Sequence, residues 1–132
     1  MTGSVRFVGT LLSLSLLAVA APPGTVTDAD PQDPEVQACA SFFLESFNTM
    51  VGNPHLYVIT KFYSVKRTEI GGGQYDIDVQ LTPTQCKKGD NLDLSSCKPL
   101  ASPGNQVSRC QFVVLTAPWK QQRTLIQSAC VM

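Results

Sequence analysis

An α+β domain, one N-terminal helix packed against a curled antiparallel sheet, is the fold class this sequence predicts, and three observations predict it. Apolar residues recur at helical spacing after an Asp-Pro start signal, two later segments alternate with period two, and two more strand-like segments flank a Pro-Trp turn. A helix with one apolar stripe must bury it, and a sheet that follows in sequence and curls over it does so in two layers.

Ahead of the helix, Arg6 precedes Phe7-Val8-Gly9-Thr10-Leu11-Leu12 and a further apolar run ending in Ala18-Val19-Ala20. One positive charge, an apolar stretch short for about 30 Å of hydrocarbon, and small residues at the −3 and −1 positions define a secretory signal over residues 1–20. The mature chain is expected to start at Ala21 and to be secreted and soluble. Residues 21–33 are rich in Pro, Asp and Thr with little to bury, which predicts a mobile arm before a domain over residues 34–132.

The helix is predicted from Pro34 to Val51. Asp33 stands before a proline whose missing N–H is not needed at the first helical position. Val36, Ala40, Phe43 and Phe47 then form a stripe that Cys39 and Leu44 widen. Gly52-Asn53-Pro54 ends it, with glycine expected in the left-handed conformation. Tyr57, Ile59, Tyr63 and Val65 share one parity. After Gly71-Gly72-Gly73, residues Tyr75, Ile77, Val79 and Leu81 alternate with Asp76, Asp78 and Gln80. Both segments are predicted as half-buried antiparallel strands joined at the glycines. Thr82 to Ser108 is irregular and long for a loop. Strands over Arg109–Ala117 and Arg123–Cys130 then flank Pro118-Trp119-Lys120-Gln121-Gln122.

Ten basic and ten acidic residues leave no net charge, and removing Arg6 with the signal leaves about −1. No basic stripe suits nucleic acid, and one histidine with no short-spaced cysteine pairs argues against a metal centre. Five cysteines, Cys39, Cys86, Cys97, Cys110 and Cys130, leave one over from two pairs. The sequence alone allows fifteen ways of choosing those pairs.

The helix before a long strand, the glycine-bearing hairpin followed by Gln74-Tyr75-Asp76-Ile77-Asp78-Val79-Gln80-Leu81, the late Pro-Trp pair and four C-terminal cysteines together resemble the secreted (type 2) cystatins. These are inhibitors of papain-like cysteine proteases. The resemblance covers nearly the whole mature chain. It implies a four- to five-stranded sheet, pairing of Cys86 with Cys97 and of Cys110 with Cys130, and no cofactor or metal. It also implies a reversible, tight-binding inhibitor in which three elements form a wedge that occludes a protease's active-site cleft without chemistry. Carried over, the wedge comprises Gly24, then Thr68, Glu69, Ile70, Gly71 and Gly72, then Pro118 and Trp119. Trp119 has a plainer reading as a cap on the core, the glycines as a flexible turn, and Gly24 as an arm residue with no role.

Several positions depart from the pattern. The first-hairpin signature Gln-Xaa-Val-Xaa-Gly is met by Thr68-Glu69-Ile70-Gly71-Gly72, which keeps only the last glycine; Glu69 brings a charge expected to cost desolvation on docking. Pro22 and Pro23 replace larger residues before Gly24. A weaker or narrower inhibitor is therefore expected. Gly52 stands where some cystatins carry an asparagine that engages legumain, and Pro54 spoils Asn53 as its substitute, so no legumain activity is expected. Cys39 is expected as a buried free thiol in a monomer, with a disulfide-linked dimer as the alternative. An enzyme lacks parts, since His55 has no placed nucleophile and Asp76 and Asp78 share a solvated strand face. A non-inhibitory binding module on the same fold is the remaining alternative.

Overall fold

A computed structural model describes residues 22, 24–90 and 93–132; the signal expected over residues 1–20 lies outside them. Strand β1 (Val26–Asp28) is followed by helix α1 (Pro34–Met50), then β2 (His55–Thr68), β3 (Gln74–Lys87), β4 (Ser108–Ala117) and β5 (Gln122–Val131). The strands form one sheet in the order β1-β2-β3-β4-β5, with every neighbouring pair antiparallel. The chain is thus a helix laid on a five-stranded meander. β1 corrects one expectation: part of the arm predicted to be mobile is a short edge strand, its residues Val26, Thr27 and Asp28 paired with Thr68, Arg67 and Lys66.

The start of α1 follows its sequence signals. Asp33 caps it by accepting from the Glu35 N–H at 2.8 Å, and Pro34 occupies the first turn. Its end does not. Val51 turns extended (φ −68°, ψ 141°) while its N–H still donates to the Phe47 carbonyl, and Gly52 is not among the positive-φ glycines. The stop comes from that extended residue and from Asn53, whose Oδ1 accepts from the His55 N–H at 2.9 Å.

Val36, Cys39 and Phe43 from α1 meet Tyr57, Ile77, Val79, Leu81, Phe112 and Val114 from the sheet in one buried cluster. Phe43 stacks on Phe112 with ring centroids 4.1 Å apart, and Phe47 sets its edge to Tyr57 at 5.1 Å. Such aromatic pairs add about 0.5–1.5 kcal/mol to the area they bury. Cys39 is fully buried and free, as a small apolar side chain on the inward face of the helix.

β2 does not keep the single parity expected of it. The register against β3 slips between Ile59 and Lys61 and again between Phe62 and Ser64. These two bulges turn Phe62 inward against the core and leave Tyr63 outside, and the second restores Val65 to the interior. β3 runs six residues further than expected and carries Pro83 through the interior of the sheet. The proline costs no ladder bond. Its partner Tyr57 directs both backbone groups to the Asn48 side chain, at 2.8 Å and 3.0 Å, and the Pro83 carbonyl accepts from the Leu100 N–H at 2.9 Å.

Asn48 thus clips the helix to the uncovered edge of β2. Alanine there leaves a buried donor and acceptor unmatched and is expected to cost about 2 kcal/mol, read from urea midpoints. A loss below about 0.5 kcal/mol would show that water replaces the amide. Cys86 is bonded to Cys97, tying the loop after β3 to its end, and Cys110 to Cys130, joining β4 to β5.

Candidate functional site

Three segments distant in sequence meet at one end of the sheet. Gly24, at φ +86°, donates its N–H to the Glu69 carbonyl at 2.7 Å, and the Glu69 N–H donates to the Thr25 carbonyl at 2.9 Å. Together with β1 these bonds stitch the arm to the first hairpin. Thr68 ends β2, paired with Val26 on one side and Gln74 on the other. The hairpin closes with the Gly73 N–H donating to the Ile70 carbonyl at 2.9 Å.

Gly71 and Gly73 have φ of +55° and +106°, the left-handed region where a side chain is strained. Gly72 is required for another reason. A Cβ there would lie 2.2 Å from the Thr116 carbonyl oxygen and 2.5 Å from Pro118 Cδ. The first hairpin therefore packs backbone to backbone on the Pro-Trp hairpin. Thr116 holds the contact: its hydroxyl donates to the Gly72 carbonyl at 2.6 Å, and its N–H donates to the Gly73 carbonyl at 3.0 Å.

Pro118–Lys120 form one tight helical turn closed by Gln121, a non-glycine residue at φ +49° whose N–H donates to the Pro118 carbonyl at 3.0 Å. That turn presents Trp119 at 68% exposure beside Gly71, whose chain neighbour Ile70 is 40% exposed. A tryptophan this open is not a cap on the core. All eight residues singled out in the sequence, Gly24, Thr68 to Gly72, Pro118 and Trp119, lie along this one edge.

Glu69, the charge expected to cost desolvation on docking, has a partner within the hairpin. Its carboxylate is bonded to the Arg67 guanidinium, whose Nε also donates to the Tyr75 hydroxyl at 3.2 Å. The Glu69 bond, then the Tyr75 bond, hold Arg67 still more firmly protonated than usual, and burial pushes the Tyr75 phenol up. The same guanidinium covers Gly73, 3.0 Å from where a Cβ would stand. A hairpin of three glycines is thereby braced by one ion pair. Arg67, Thr116 and Gln121 escaped the sequence reading because nothing local marks an arginine that reaches two residues on or a threonine that caps a distant turn.

Among the described residues no group of three or more His, Cys, Asp and Glu could hold a metal ion, and no described helix is long and apolar enough to cross a membrane. Asp76 accepts from Gln111 at 2.9 Å and Asp78 pairs with Arg109 at 2.9 Å on the outer sheet face. His55 is engaged with the Thr84 carbonyl at 2.7 Å.

The fold and this edge define a helix-on-meander domain whose arm and two hairpins are joined into one rigid, partly apolar projection. A family profile described as Cystatin domain matches residues 24–119, from the arm glycine to the exposed tryptophan. The chain belongs to the cystatin family. It is 27% identical over 127 residues to Cystatin-1 of Crotalus adamanteus, covering 91% of this chain and 90% of the relative. Its fold is similar to that of dimeric human cystatin F, with a TM-score of 0.73, 23% identity, and coverage of 84% and 89% of the two chains. It is also similar to the salivary cystatin of the soft tick Ornithodoros moubata, with a TM-score of 0.66, 22% identity, and coverage of 84% and 100%.

Proposed function

We propose that this chain is a secreted, reversible, tight-binding inhibitor of papain-like cysteine proteases that plugs the active-site cleft with the three-part edge. The observation that carries the reading is the mutual fixing of the edge: Gly24 bonded to Glu69, and Gly72 pressed on Thr116 and Pro118. A plug need supply no nucleophile, acid or base. It needs a narrow backbone, few flexible parts and an apolar anchor, so that little entropy is lost on docking. The Arg67–Glu69 pair supplies rigidity where the glycines would lose it, which offsets part of the weakness expected from the altered signature.

Secretion rests on the expected cleavage before Ala21, and the N-terminal sequence of protein collected from cell medium checks it. The inhibitor reading is tested by titrating the mature chain against papain and a cathepsin L-type protease, with Trp119→Ala beside it. The expected result is inhibition by the wild type and an affinity about tenfold lower for the variant. No inhibition at micromolar concentration would favour the second reading, a non-inhibitory binding module, for which the loss of glutamine and valine at Thr68 and Ile70 speaks.

A further inference from the structure

The two edges of the sheet are finished differently. Beyond the three residues that β1 covers, the free edge of β2 carries three register irregularities, the first between His55 and Tyr57, together with Lys61, and Asn48 caps its Tyr57 groups. Bulges and lysines are the devices that keep an edge from pairing with another chain. β5 is long and has fewer of them. From Thr124 to Met132 it holds no charged residue, no proline and no glycine, and Arg123 just before is committed to Glu35 at 2.9 Å. Its one bulge is at Ile126, where Leu125 and Gln127 face adjacent residues of β4.

The direction of the free groups can be read from the disulfide. Cys110 and Cys130 stand opposite each other with Cα atoms 4.1 Å apart, the close spacing of a pair that exchanges no backbone bonds. Cys130 and, two residues back, Ser128 therefore point their N–H and C=O groups away from β4. No described segment outside the ladder donates to or accepts from the β5 backbone. Val131 and Ile126 are exposed beside that edge, and on the helix side a groove of about 300 Å³ lies between α1 and β5, walled by Phe43, Phe47, Met50 and Leu125.

We propose that the β5 edge pairs with the β5 edge of a second copy of this chain, antiparallel about a twofold axis at Ala129. Unpaired backbone groups in a row call for a strand, and a strand without charge offers nothing to select an acidic or basic peptide. It meets itself with no like charges opposed. Gln127–Val131 is the regular stretch between the bulge and the strand's end, and Ala129 is its midpoint. In that register Ser128 faces Cys130 of the second copy, giving four N–H···O bonds about the axis, while Gln127 faces Val131. The small Ala129 side chains meet across the axis itself. Trp119 lies ten residues earlier in the chain, beyond the start of β5, so both plugs stay free.

Sedimentation of the mature chain up to about 100 µM tests this, beside Ala129→Lys and Ala129→Glu, each of which sets like charges directly opposite. The expected result is a wild-type dimer that non-reducing denaturing gels resolve as monomer, and dissociation constants raised about tenfold or more in each variant. Mixing the two variants restores a dimer, and inhibition of papain is the same for all three. A monomeric wild type at the highest concentration, variants that dimerise like the wild type, or a mixture that stays monomeric would each overturn the proposal. Because papain inhibition is scored separately, its absence would bear on the inhibitor reading alone.

Discussion

Replacing Gly72 by alanine is expected to lower stability by about 2–4 kcal/mol and to weaken protease inhibition more than any other single methyl group added to this chain. Its backbone has no positive φ, so alanine could adopt the local conformation; space is what forbids it. The added carbon would stand 2.2 Å from the Thr116 oxygen and 2.9 Å from its carbonyl carbon, and neither atom can swing aside as a flexible side chain would. The two hairpins must part, which stretches the Thr116 bonds to Gly72 and Gly73 as well. Overpacking costs about 1–3 kcal/mol and each weakened bond about 0.5–1.5. Gly52→Ala is the control, since nothing lies within 4 Å of its Cβ position and its φ is ordinary, so it should change stability by under about 0.5 kcal/mol. Thermal melts and papain titrations of both variants check the contrast. If Gly72→Ala melts with the wild type, the two hairpins do not touch as described.

The edge was only partly legible in the sequence, and the reasons are physical. Asp33-Pro34 and the stripe from Val36 to Phe47 declared the helix because capping and burial are both local signals. The alternation from Tyr75 to Leu81 declared β3 for the same reason. The bulges in β2 left no trace because two single-residue slips cancel: Tyr57 and Val65 keep the same parity at either end while Phe62 and Tyr63 exchange faces between them. The three glycines read as a turn, yet they serve two purposes. Gly71 and Gly73 supply backbone angles, whereas Gly72 supplies room for a strand forty-odd residues away, a contact that exists only once the chain is folded. Glu69 read as a liability because its partner, two residues back, reaches it only once β2 is extended and both side chains fall on one face. β1 was missed for want of anything apolar to bury; its ladder is made of backbone.

Raising the pH from 8 to 11 is expected to remove about 2–3 kcal/mol of stability through Cys39 alone. The thiol is fully buried, its Sγ 3.7 Å from Glu35 Oε2, and the Arg123 guanidinium reaches the same carboxylate at 2.9 Å. Burial first, and then the Glu35 charge, push the thiol from 9.0 up to about 12; the pull of Arg123 in the other direction is smaller. Unfolding puts the same thiol in water, where it ionises near its ordinary value. Between that value and the raised one the unfolded chain binds fewer protons than the folded chain, so stability falls with rising pH and is untouched below about pH 8. Cys39→Ala removes this titration while leaving the tyrosines and lysines in place. The stability of the wild type relative to Cys39→Ala, read from urea midpoints measured quickly because a released thiolate can attack the disulfides, should fall by about 2–3 kcal/mol between pH 8 and pH 11. A gap that stays constant would mean that Cys39 ionises alike in both states. The same burial makes the native thiol slow toward a thiol reagent and yields one reactive group per chain on denaturation without reductant, whereas none would mean that Cys39 is already cross-linked.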